Sequence, residues 1–313
     1  MKITSIFNCS AVALIIYFCT SFQAAAQVND LLRSEVATLT IMQNAGIDFN
    51  SVPKLVSQDV SVQGAQDFVT IRLQFDHLPL IRLFLNGPHG FFDDTQHSYR
   101  TVFIVAGFFT GSQSASLLSV VPKTVYVGYD YPYDVDAFKQ DASKVLQTFR
   151  ITPPQIALSM KWLSLQGWVD ASKTTALGVS LGGLFLPVSL HVAMKLQAAP
   201  QFSVFAFTGA DLAVILTNVL PTELPQNVSD GVKAFVPAIN ILNDPAIHLP
   251  FLSGSFLVIH SDQDQVIPAE ATAKLFALLP EPKTEVLLHG PHINPDQQQL
   301  IDDTGKEILN WLK

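Results

Sequence analysis

The sequence predicts an α/β protein with a mostly parallel central sheet, helices on its flanks and a small inserted lid. Three observations lead there. From Thr101 onward, short apolar runs of strand length alternate with segments of helical period. Only 14% of residues are charged while 49% are hydrophobic, a balance that suits a large sheet buried on both faces. A serine framed by glycines, Gly178-Val179-Ser180-Leu181-Gly182-Gly183, stands where a β-prone run ends and an apolar helix begins.

The first 26 residues read as a removable signal rather than as part of the fold. Lys2 supplies the positive start, residues 11–18 form a short apolar core, and Ala24-Ala25-Ala26 offers a cleavage site before Gln27. The apolar run is too short to span a bilayer, and no later stretch is long and apolar enough to do so. Cys19 raises a lipoprotein anchor, but the bulky Tyr17-Phe18 before it argue against that. The expectation is a secreted or periplasmic protein of residues 27–313. Both cysteines, Cys9 and Cys19, fall in the signal, so the remaining chain has no disulfide and no thiol nucleophile. Lys2 is the one charged residue of the signal, so its removal moves the formal charge from −8 to −9. That acidity disfavours nucleic acid and anionic membrane surfaces as partners.

Residues 27–50 carry Leu31, Leu32, Val36, Leu39 and Met42 near helical spacing and predict an N-terminal helix packed on the domain edge. Val69, Ile71, Leu73 and Phe75 alternate with polar residues and predict a half-exposed strand. His77-Leu78-Pro79 turns the chain into a second strand at 80–85, an antiparallel opening to the sheet. Continuous apolar runs at 101–106 and 123–129 predict strands covered on both faces. Residues 134–149 show a helical stripe. Thr152-Pro153-Pro154-Gln155 reads as a capping box that starts a separate helix running to about Gln166. The strand before Ser180 follows, then a buried helix at 181–196 that contains Pro187, and a strand at 202–208. Further strands are expected at 255–260 and 284–288, with a helix between them at 270–279. The terminal helix should start at Asn294-Pro295.

Residues 211–254 break the alternation. They hold five prolines, few charges and apolar clusters such as Leu212–Leu216. They read neither as sheet nor as one regular helix, and a lid or cap inserted in the domain is the expectation; a surface excursion without function is the alternative. Asn227-Val228-Ser229 matches a glycosylation sequon.

The chemistry centres on Ser180. A serine hydroxyl is a weak nucleophile until a histidine takes its proton, and that histidine must be oriented by a carboxylate. In an α/β sheet such groups belong at the C-terminal ends of strands. After the strand at 255–260 comes Ser261-Asp262-Gln263-Asp264-Gln265-Val266-Ile267-Pro268, and after the last strand comes His289-Gly290-Pro291-His292. The glycine-framed serine, the acidic loop ending in Val-Ile-Pro and the late histidine occur in the order Ser, Asp, His. That arrangement resembles the α/β-hydrolase superfamily over roughly residues 60–313, with esterase, lipase and prolyl-peptidase-like branches in view.

The resemblance implies Ser180 as nucleophile on a sharp elbow, with Gly178 and Gly182 removing side chains that would collide there. It implies Asp264 as the acid, with Ser261 where the family has glycine. Asp262 and Asp211 remain rivals, Asp262 also reading as a loop-capping carboxylate. His292 is preferred as base over His289, while His191 on the apolar helix reads as a satisfied core histidine. Oxyanion donors are expected from the N–H of Leu181 and from the Gly107-Phe108-Phe109 loop, Phe108 preferred over Phe109. No H-x-x-x-H or H-x-H pair and no early G-x-G-x-x-G appear, so neither metal nor dinucleotide cofactor is expected. The expected activity is hydrolysis of a small-molecule or lipid-like ester through an acyl-enzyme. A peptidase or acyltransferase of the same fold, and a non-catalytic binder that keeps it, are the alternatives.

Overall fold

A computed structural model describes residues 29–107, 110–118, 121–133, 135–223 and 226–313. The signal expected at 1–26 and the preferred oxyanion residue Phe108, with Phe109, lie outside the described residues. Helix α1 spans residues 29–44. An antiparallel meander follows: β1 (Lys54–Gln63), β2 (Gln66–Gln74) and β3 (Ile81–Pro88). The alternation read at Val69–Phe75 appears as a row of buried side chains at Val69, Ile71 and Leu73. β1 has no counterpart among the strands read from sequence, because its side chains are exposed along nearly its whole length and leave no one-sided hydrophobic signal.

From β4 the sheet is parallel: β4 (Tyr99–Val105), β5 (Thr124–Asp130), β6 (Val169–Val179), β7 (Phe202–Ala206), β8 (Ser255–Ser261) and β9 (Lys283–Leu288). The nine strands stand in the order β1-β2-β3-β5-β4-β6-β7-β8-β9, and β3 joins the parallel part antiparallel to β5. The strand ends that carry Ser180, Asp264 and His292 therefore all open on one edge of the sheet. Two hydrophobic cores fill its two faces. The larger includes Phe103, Val105, Ala176 and the helices α3 (Ala142–Ser164) and α4 (Leu181–Lys195). The smaller sets Val102, Ile104, Leu177 and Val204 under α9 (Gln298–Trp311).

Two sequence expectations are corrected. Leu31, Leu32, Val36 and Leu39 of α1 do not pack inward; they are between 42% and 62% exposed. The face turned to the protein is Ser34, Ala37, Thr38, Ile41 and Met42, because a polar cluster on α4 and α7 (Pro245–His248) supplies hydrogen-bond partners to Ser34 and Thr38. The helix expected to start at Thr152 instead begins at Ala142, capped by the Asp141 carboxylate, and runs through Pro153 and Pro154. A short helix α2 (Val135–Gln140) precedes it. The prolines remove two N–H donors from the helix interior, but Thr152, Gln155 and Ile156 are fully buried, and packing holds the helix across the break.

The segment between β7 and β8 is helical: α5 (Leu212–Glu223), α6 (Gln226–Asn243), the single turn α7 and a 3-10 turn at Leu249–Phe251. α8 (Ala269–Leu278) lies between β8 and β9.

Candidate active site

The site starts from one strained residue. β6 ends at Val179, α4 starts at Leu181, and Ser180 between them has φ 53 and ψ −122. A non-glycine residue in such a conformation costs on the order of 1–3 kcal/mol and persists only where its surroundings enforce it. Here the Ser180 N–H donates to the Ala206 carbonyl at 2.9 Å, and the Ser180 carbonyl accepts from the Gly183 N–H at 3.0 Å. The flanking glycines are required by contact. A β-carbon on Gly182 would stand 1.9 Å from the Val105 carbonyl oxygen, and one on Gly178 would stand 2.8 Å from the Gly183 Cα. Gly183, which the motif leaves unspecified, is as constrained, since a β-carbon there would lie 2.4 Å from Thr208 Cγ2. That requirement exists only in three dimensions and has no sequence signal.

Ser180 Oγ lies 2.8 Å from His292 Nε2, and His292 Nδ1 lies 2.8 Å from Asp264 Oδ2. The other Asp264 oxygen accepts the backbone N–H groups of Val266 and Ile267, both at 2.8 Å. These two bonds fix the carboxylate so that one oxygen is committed to the backbone and the other to the imidazole. The Asp264 and His292 side chains are only 6% and 10% exposed, which strengthens their interaction relative to water. The Phe207 ring stands edge-on to His292, with centroids 6.1 Å apart.

The acid loop and the histidine loop are joined along their length. The Asp262 N–H donates to the Leu288 carbonyl, the Gln263 N–H to the Gly290 carbonyl, and the Ser261 hydroxyl to the Pro291 carbonyl at 3.0 Å. Ser261 thus ties down the residue before His292, a role that a glycine there could not perform.

The rivals are placed elsewhere. Asp262 pairs with His289 at 2.9 Å and also accepts the Gly290 N–H; the Asp262 and His289 side chains are 41% and 79% exposed. The His289 hydrogen bond holds the Asp262 carboxyl below its usual range. Asp211 bonds Lys274 at 2.7 Å, and that bond lowers its pKa in the same way. His191 is 2% exposed and lies within hydrogen-bond distance of Ser34 and His248.

On the opposite wall, Gly107 follows β4, and a β-carbon on it would stand 3.6 Å from Ser180 Cβ. The preceding Ala106 carbonyl accepts a 2.7 Å hydrogen bond from the buried Tyr131 hydroxyl, a contact that no motif announces. Leu181 opens α4, where the first N–H groups have no intrahelical acceptor and the helix dipole favours negative charge. Among the described residues no group of three or more His, Cys, Asp or Glu is arranged to hold a metal. No described helix is long and apolar enough to cross a membrane.

No protein-family model matches the chain, and no curated protein matches it in sequence. Solved structures do match in three dimensions. Acetyl xylan esterase 1 from a Thermoanaerobacterium species aligns with a TM-score of 0.65 at 12% identity, over 89% of this chain and 92% of that one. An acetyl xylan esterase from a Paenibacillus species aligns with a TM-score of 0.60 at 12% identity, over 90% and 93%. A prolyl endopeptidase aligns with a TM-score of 0.52 at 12% identity, over 85% of this chain and 53% of that one. At these identities the likeness establishes the fold: the chain has the α/β-hydrolase fold.

Proposed function

We propose that the protein is a secreted serine hydrolase that cleaves an ester through an acyl-enzyme. The observation that carries this reading is the continuous chain from Ser180 Oγ through His292 to a buried, doubly held Asp264, with both links at 2.8 Å. It stands on a fold shared with esterases. In this reading Ser180 Oγ attacks the ester carbonyl as its proton passes to His292 Nε2. Asp264 holds the imidazole with Nδ1–H facing the carboxylate and stabilises the imidazolium. The N–H groups of Leu181 and Phe108 take the oxyanion. His292 then gives its proton to the departing alkoxide, leaving the acyl group on Ser180. Water, deprotonated by His292, attacks the acyl carbonyl; His292 then returns that proton to Ser180 Oγ as the Ser180–acyl bond breaks, and a carboxylic acid leaves.

The helical insertion at 211–254 acts as the lid in this reading. Its apolar composition favours a hydrophobic acyl or alcohol group over a charged substrate. The likeness to a prolyl endopeptidase keeps amide cleavage as a second reading.

A panel of p-nitrophenyl esters of graded chain length, offered to wild type and Ser180→Ala, tests the proposal, with a proline p-nitroanilide as the amide arm. Ester turnover by wild type alone is expected, together with fluorophosphonate labelling that Ser180→Ala abolishes. Equal turnover by both proteins, or no labelling of wild type, would remove the hydrolase reading.

A further inference from the structure

The sheet face under α9 has an opening, bordered by Leu118, Val121, Pro122 and Lys123 of the crossover from β4 to β5. Parallel neighbours are ordinarily joined by a crossover helix that covers the sheet. Between Val105 and Thr124 the described residues form only a six-residue 3-10 turn, Gly111–Ser116. A groove of about 630 Å³ remains between α9 and strands β4, β5 and β6, within the roughly 300–1,000 Å³ of small-molecule sites. It extends along β6 on the α9 side of the sheet: Lys173 on its rim precedes Ser180 by seven positions and Leu177 on its floor by three, about 23 Å and 10 Å along a strand.

The groove is amphipathic. Val102, Leu177 and Ile308 form an apolar floor. The rim carries Arg100, Lys123, Lys173, Lys306 and Lys313 against only Asp170 and Asp302. This local excess of three positive side chains occurs in a chain whose formal net charge is −8. Lys173 is neutralised by Asp170 at 3.1 Å, and Arg100 gives an N–H to the Leu312 carbonyl. The side chains of Lys123 and Lys306 are exposed and have no hydrogen-bond or ion-pair partner among the described residues. Tyr126 at the back of the groove keeps its proton, since burial pushes its pKa up to about 12, so it places no negative charge there.

Gly305 is a second, independent feature. It sits inside α9, where glycine costs about 1 kcal/mol relative to alanine. A β-carbon there would meet only Leu118 Cδ2, at an ordinary 3.5 Å. The glycine is therefore not forced by close packing, and its consequence is that the groove stays open on the α9 side.

We propose that this groove binds an amphiphilic carboxylate, a medium-chain fatty-acid-like anion with its tail on Val102, Leu177 and Ile308 and its head at Lys123 and Lys306. The assignment does not draw on the chemistry of Ser180, so it stands or falls separately from the hydrolase reading.

Isothermal titration calorimetry with decanoate tests it on the full chain, with butyrate and decanol as comparators. Wild type is expected to bind one decanoate, and butyrate and decanol at least about ten-fold more weakly, since each lacks one half of the match. Lys123→Gln with Lys306→Gln should weaken decanoate about ten-fold, and Gly305→Phe should abolish binding by filling the groove. If Gly305→Phe fails to fold, the lysine pair decides, because both side chains are exposed. No saturable decanoate binding, or equal binding to wild type and the lysine variant, would overturn the proposal. So would binding that survives in both variants and appears only as competitive inhibition of ester cleavage.

Discussion

Acid should destabilise this protein well before its carboxylates titrate, and His248 is the reason. Its side chain belongs to a fully buried residue between α6, α4 and α1. Nε2–H donates to the Leu242 carbonyl at 2.8 Å, so in the neutral ring Nδ1 holds a lone pair. That lone pair faces His191 Nδ1 at 3.2 Å and Thr38 Oγ1 at 3.5 Å. Ser34 and Glu35 on α1 and Lys195 on α4 complete the surroundings. A proton on Nδ1 would place a charged ring in a fully buried site without water-like polarisability.

Burial accordingly lowers the His248 pKa from 6.5 to about 4. Below pH 6.5 the unfolded chain takes up a proton that the folded chain refuses. The contribution is therefore fully present above the unfolded value and is lost as pH falls toward 4. Each pH unit across that interval removes about 1.4 kcal/mol, so the loss reaches about 3 kcal/mol, a large share of the roughly 5–15 kcal/mol typical of a domain. His191, also lowered chiefly by burial, adds in the same direction. Glu35, held low chiefly by its Lys195 hydrogen bond, acts only at more acidic pH. Asp244, raised by burial, has the opposite sign. The check is urea unfolding, followed by circular dichroism at pH of about 7.5, 6.5, 5.5 and 4.5, for wild type and His248→Gln. Wild type is expected to lose about 2–3 kcal/mol across the series, and the variant, lacking the titrating ring, distinctly less. Parallel curves for the two proteins would eliminate His248 as the cause.

Three further outcomes are expected. Asp264→Asn should leave the fold intact and lower kcat by about 10,000-fold, because an amide at this position no longer selects the imidazole tautomer; steady-state kinetics at neutral pH checks it. Asp262→Asn should change kcat/KM by less than about two-fold, since the Asp262–His289 pair is exposed and the Asp262 carboxylate bonds only His289 and the Gly290 N–H among the described residues; a loss comparable to Asp264→Asn would reverse the assignment of the acid. Tyr131→Phe should cost about 1–3 kcal/mol by leaving the buried Ala106 carbonyl without this donor. It should also lower kcat more than KM, because that carbonyl begins the turn beside Ser180; an unchanged kcat with reduced stability would restrict Tyr131 to a structural role.

Much of the parallel sheet is legible in the sequence because buried parallel strands announce themselves as continuous apolar runs. β4, β5 and β8 lie within a residue or two of where those runs stand. α1 is legible as a helix but not in its orientation. Four of the five residues of its apolar stripe face outward, only Met42 turning inward, and hydrophobic period alone does not show that a polar cluster waits on the other side. The start of α3 escapes the sequence for a related reason. Thr152-Pro153-Pro154 is a local stop-and-start signal, and tertiary packing of a fully buried segment overrides it.

The kinds of groups and their order are written in the chain: a serine between obligatory glycines, then an acidic loop, then a late histidine. Those are local facts, set by steric need at one turn and by residue type at strand ends. Which carboxylate and which histidine reach the serine is settled only by folding. Asp262 and Asp264 are near neighbours in one loop, yet one faces His289 in solvent and the other faces His292 in the interior. The direction a side chain takes from a loop depends on the hydrogen bonds that bind that loop to its neighbour, and those partners come from 27 and 28 residues away.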